Sequence, residues 1–189
     1  DTPCAALRLR TRAAERQIVR RADPMRTTLQ ERLWHFANNP AWKTVTLPVE
    51  PGSAVLEEIL VEAVPSGEPR IAASPGILEG LAADDIVVLD PNAPSGHRLI
   101  RRGGNVCIHL YTNPASRSFT QDKLTSAIEA IGGWLDGTMG DEGLCFTIPV
   151  SSGFPAIERV FTAVVGSEWY YSNVYDLETH APLNWWAAG

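Results

Sequence analysis

Between Trp42 and Arg102, apolar residues recur at alternate positions in five short runs: KTVTLPVE, AVLEEILVEAV, PRIAA, DDIVVLD and HRLIRR. The runs are rich in β-branched residues and are separated by Pro-Gly, Ser-Gly, Ser-Pro-Gly and Pro-Ser-Gly breaks. A period of two places successive side chains on opposite faces of a strand, and such breaks close turns. Several short strands at this spacing predict a small β-barrel-like domain over residues 42–103.

From Asn105 the pattern changes. NVCIHLYT reads as a strand. SRSFTQDKLTSAIEAIGG reads as an amphipathic helix, with Leu124, Ala127, Ile128 and Ile131 on one stripe and Gly132-Gly133 as its stop. WLDGTM and GLCFTIPV form a hairpin, SSGFPAIERVFTAVVG a second helix, and EWYYSNVYD a last strand. The order β-α-β-β-α-β predicts a ferredoxin-like domain over 104–176, followed by an aromatic tail at 177–189. In front, residues 5–22 and TTLQERLWHFANNP read as helices, the second opened by a Thr28/Glu31 capping box. Residues 1–41 are therefore expected to form a helical arm. The fold class expected is α+β: helical arm, small β-barrel-like domain, then ferredoxin-like βαββαβ domain.

Charge narrows the function. Residues 1–32 carry eight arginines against four acidic residues, a balance of +4, so the remaining residues carry −10 of the net −6. A body this acidic lacks the positive footprint that phosphate binding needs, and nucleic acid is not an expected partner. No apolar run has the length of a membrane span, and the first 23 residues hold no apolar core of a secretory kind. Cys4, Cys107 and Cys145 show no CxxC spacing, which suits reduced thiols; the expected compartment is the cytoplasm.

The stretches EEILVEAVPSGEPRIAASPGILEGLAADDIVVLD, RLIRRGGNVCIHLY, AIEAIGGWLDG, LCFTIPV and EWYYSNVYD resemble a bacterial family known as a domain of unknown function, number forty-two sixty-five. The resemblance covers roughly residues 55–176. Members often show an RRSGHST-like run where this chain has Arg101-Arg102-Gly103-Gly104-Asn105-Val106-Cys107. The basic pair and the turn glycine are kept, and the polar run is not. The resemblance implies architecture and no particular chemistry.

No GxSxG, GxxxxGK[ST] or HExxH motif is present, nor a GxGxxG after a strand. Alternation puts Val106, Ile108 and Leu110 on the helix side of the second sheet beside Leu144, Phe146 and Ile148. Cys107, His109 and Tyr111 then face the other way, with Cys145 and Thr147. A Cys/His cluster there suits zinc, but its spacing matches no metal signature and supplies no fourth ligand, so neither metal nor cofactor is expected. As a nucleophilic pair, Cys145 with His109 is favoured over Cys107, which stands about 6–7 Å along the strand from His109. Aromatics concentrate at the C-terminal end, in EWYYSNVYD and THAPLNWWAAG. Either the tail indoles plug the core or they anchor a partner.

The Arg-Arg-Gly-Gly-Asn run reads as a tight inter-domain turn; the alternative is that its arginines and backbone N–H groups hold an anion. The candidate binding residues are Arg101, Arg102, Asn105, His109, Tyr111, Trp169, Tyr171, Trp185 and Trp186. The reading they favour is a non-catalytic recognition or regulatory protein acting through protein–protein contacts, as a homodimer or as an inhibitor of a protein partner. The alternative is a small-molecule-binding protein or small enzyme, with its site in the cleft between barrel and ferredoxin-like sheet.

Overall fold

A computed structural model describes residues 42–65, 67–141, 143–177 and 179–187. The alternating runs form strands β1 (Trp42–Pro48), β2 (Leu56–Ala63), β3 (Pro69–Ile71), β4 (Ile86–Leu89) and β5 (His97–Arg101). They pair antiparallel in chain order as one five-stranded sheet. Its buried side comprises Leu47, Ile59, Val61, Ile71 and Val87, covered by Leu78 and Leu81 from the long connection between β3 and β4.

The second sheet holds β6 (Asn105–Tyr111), β7 (Trp134–Met139), β8 (Gly143–Pro149) and β9 (Trp169–Tyr171), ordered β7-β8-β6-β9, all neighbours antiparallel. Helices α1 (Arg117–Glu129) and α2 (Phe154–Val165) cover one face. Leu124, Ile128, Ile157 and Phe161 from these helices pack on Val106, Ile108, Leu110, Leu144, Phe146 and Ile148. The apolar parity of β6 and β8 thus faces the helices, and the edge-on contact of Phe146 with Phe161, 5.6 Å between ring centres, marks the middle of this core.

This architecture corrects the expected fold class. The molecule is mostly β: nine strands in two antiparallel sheets, with two α-helices among the described residues. The first sheet is not a barrel. β3 has three residues and shares a single pair, Arg70 with Ile86, with β4, and among the described residues β1 and β5 are open edges. The ferredoxin-like description is likewise set aside for a two-sheet, predominantly β molecule. The sequence pattern ordered the elements but did not show what lies over the far face of the second sheet, where the β3–β4 connection packs. The expected helical arm lies outside the described residues. The Gly103-Gly104 turn lies between β5 of the first sheet and β6 of the second. Among the described residues no helix is long and apolar enough to cross a membrane.

Candidate functional site

The face of the second sheet opposite the helices is polar at its centre. β6 and β8 run antiparallel with His109 opposite Cys145 and Cys107 opposite Thr147. All four side chains are buried. Cys107 Sγ lies 3.4 Å from His109 Nε2 and 3.7 Å from Cys145 Sγ. The ring thus folds back along its own strand toward Cys107, which strand rise alone made the poorer partner of His109. On its other side, His109 Nδ1 lies 3.1 Å from the phenol oxygen of Tyr170, its register partner on β9. Sequence reasoning missed Tyr170. The signal was available, because alternation in EWYYSNVYD places Tyr170 on the Cys/His face once Trp169 and Tyr171 face the helices.

The cluster is roofed by the β3–β4 connection. Ala82 packs on Cys107 and Cys145. The Pro75 carbonyl sits 2.9 Å from His109 Nε2, 3.2 Å from Cys145 Sγ and 3.7 Å from Cys107 Sγ. Glu57 on β2 sets that orientation. Its carboxylate accepts the N–H groups of Gly76, Ile77 and Leu78 at 2.7, 3.1 and 2.6 Å. The Gly76 N–H belongs to the same trans peptide as the Pro75 C=O, so pulling one toward Glu57 aims the other at the thiols. The Ser74 hydroxyl meets the Thr147 hydroxyl and accepts the Ala83 N–H, fixing the roof to β8. Thr147 also bonds Asp136 on β7 at 2.5 Å.

Burial opposes ionisation of Cys107, but hydrogen bonds with Cys145 and His109 outweigh it and hold this thiol well below its ordinary range. Cys145, beside Cys107 and itself buried, is pushed well above that range. Burial would lower the His109 imidazolium, yet its contacts with Cys107 and the Pro75 carbonyl raise it instead. Burial, together with Tyr111 and Glu79, pushes the Tyr170 phenol up, so it stays a neutral hydrogen-bonding group. A thiol poised for ionisation beside an imidazole can act as a nucleophile or as a soft metal ligand.

The other candidate residues scatter. Arg101 is exposed. Arg102 turns inward, donating to the Gly80 carbonyl at 2.6 Å and to Asp85 at 3.0 Å, with its guanidinium 5.6 Å from the Trp185 ring centre. Gly103 N–H donates to the other oxygen of Asp85 at 2.7 Å. The anion held by the Arg-Gly-Gly run is therefore the chain's own carboxylate. Asn105 is buried, donating to the Ala83 carbonyl and to Asp84. Trp169 and Tyr171 face the helix core, Trp169 stacking on Phe161 at 4.9 Å. Trp185 and Trp186 are half-buried against the same core: Trp185 donates to the Asn173 carbonyl at 2.9 Å, and Trp186 packs on Phe154. Tyr111 is half-exposed and stacks on Tyr170 at 6.3 Å.

Tyr170 also forms part of the wall of a shallow surface cleft of about 430 Å³, lined by Glu79, Tyr175, Asp176, Leu177 and His180 among others. Tyr170 thus joins the buried cluster to the surface.

A family model described as a domain of unknown function (DUF4265) matches residues 57–171, more than half of the chain and the whole span of the cluster and its roof. The chain is similar as well to a structure titled a novel crystal structure of a hypothetical protein from Neisseria gonorrhoeae. The two share 21% identity over 70% of this chain and 92% of that one, with a TM-score of 0.46. No curated protein matches.

Proposed function

The chain belongs to the DUF4265 family, a domain of unknown function, and on that premise we propose that it is a non-catalytic recognition protein that takes a cationic segment of a protein partner. The observation that carries this reading is the cleft bounded by Tyr170, Tyr175, Glu79 and Asp176, with Tyr111 stacked at its margin. Tyrosine faces attract a guanidinium or ammonium group, and nearby carboxylates add charge complementarity. The cleft is shallow, which suits a side chain presented by a protein better than an enclosed small molecule. The −10 balance of residues 33–189 draws the same kind of partner from a distance.

Titrating a synthetic hexa-arginine peptide into the full chain, followed by tyrosine ring NMR shifts, tests this reading. Shifts at Tyr170 and Tyr175 are expected. Affinity should fall about tenfold in a Glu79→Gln/Asp176→Asn variant and weaken as salt rises. Shifts elsewhere, or an affinity indifferent to the variant, would sink the proposal.

The small-enzyme alternative draws on one observation, the 3.4 Å contact of Cys107 with His109. Both residues are buried beneath the roof, which favours the recognition reading over this one.

A further inference from the structure

We propose that Cys107, His109, Cys145 and the carbonyl oxygen of Pro75 form a four-coordinate site for Zn²⁺. The proposal stands on the geometry of the buried cluster and is independent of the cleft. No two of the ligand atoms of Cys107, His109 and Cys145 are more than 4.8 Å apart. Tetrahedral zinc has bonds of about 2.3 Å to sulfur and about 2.0–2.1 Å to nitrogen, so its S–S edge is about 3.8 Å and its S–N edge about 3.6 Å. The Cys107–Cys145 and Cys107–His109 separations are 3.7 and 3.4 Å.

The sequence offered three ligands and no fourth. The structure supplies Pro75, whose oxygen faces all three at 2.9, 3.2 and 3.7 Å. Edges of about 3.3 Å to nitrogen and about 3.5 Å to sulfur are required, so the carbonyl needs to move by only a few tenths of an ångström. Glu57 already holds it in that direction through the Gly76 N–H.

Two sulfurs and an imidazole select a borderline-soft ion and reject magnesium or calcium, which want oxygen. His109 also has the outer partner that zinc-bound imidazoles use: with Nε2 on the metal, Nδ1–H donates to the Tyr170 phenol oxygen 3.1 Å away. The three side-chain ligands are buried, so the site is closed, and its role is structural. The ion ties β6 and β8 of one sheet to the connection that belongs to the other.

The test uses the full chain carrying Cys4→Ala, reduced and stripped with a chelator, then titrated with Co²⁺. The expected result is one equivalent bound, with sulfur-to-cobalt charge-transfer absorption and the intense visible bands of tetrahedral cobalt, displaced by Zn²⁺. Zinc should raise the thermal midpoint by several degrees. Cys107→Ser and Cys145→Ser should each roughly halve the charge-transfer intensity and weaken zinc binding by at least about 100-fold, whereas Tyr170→Phe weakens it about tenfold. Tyr170→Phe keeps every ligand, so it remains readable if a serine variant fails to fold. A folded parent protein with no sulfur–cobalt absorption would overturn the site. So would undiminished zinc affinity in a folded Cys107→Ala/Cys145→Ala variant.

Discussion

Asp85 is fully buried, and its charge is met from three directions: Arg102 at 3.0 Å, the Gly103 N–H at 2.7 Å and the Ala82 N–H at 3.0 Å. Burial still prevails over these partners and pushes its carboxyl above the usual range. A carboxyl whose folded value lies above its unfolded one binds a proton more tightly in the fold. Its contribution to stability is full below the unfolded value and is lost as pH rises through the folded one. Urea unfolding from about pH 4 to pH 7 should therefore show the parent losing stability relative to Asp85→Asn, which cannot titrate. A constant difference across that range would refute it. The Arg-Arg-Gly-Gly run was legible as a turn, with an anion as its alternative role, because glycine and arginine announce both locally. Its anion was not, because Asp85 stands 17 residues before Arg102 and only the tertiary fold joins them.

The strands were readable because each carried its own alternation and its own breaker, and a half-buried sheet needs little more. The two α-helices declared themselves by stripe and stop in the same way. The stretch between β3 and β4 has no strand or helix period: it buries Leu78 and Leu81, but main-chain groups hold it in place. Glu57 exemplifies this: on β2 it reads as one more charged residue of an EE pair, yet it accepts three consecutive N–H groups some 20 residues on. Replacing it leaves those donors without their carboxylate beneath a packed roof. Glu57→Ala should destabilise the protein by about 2–3 kcal/mol in urea unfolding, and Glu57→Gln, which keeps one acceptor oxygen, by less. Equal stability of Glu57→Ala and the parent would mean that water serves the loop as well.

Periodicity could not reveal that the two sheets share a seam. The β3–β4 connection is covalently part of the first sheet and hydrogen-bonded to the second: Ser74 to Thr147, Gly80 N–H to the Ser172 carbonyl at 2.7 Å, Ala83 and Asp84 to Asn105. Three of the five groups of the candidate cluster were legible, since strand parity set Cys107, His109 and Cys145 on one face. Pro75 came only with the fold, and Tyr170, though alternation along β9 could have placed it, needed the β6–β9 register to bring it to His109. Neither sheet can lose its partner without baring this polar face, so unfolding should be a single event. Far-UV circular dichroism and tryptophan fluorescence should trace one coincident urea transition, and two separated midpoints would show the halves to be independent. The Pro75 carbonyl carries a consequence for how such a chain can change length. Surface turns such as the one between β2 and β3, where a Cβ on Gly67 would meet nothing, should accept an added residue with little effect. The stretch from Ser74 to Asp85 cannot, because one inserted residue would put the Glu57 clamp and the carbonyl over the thiols out of step. Insertions should thus be tolerated at the hairpin ends and not in what looks, from sequence, like the loosest connection of all.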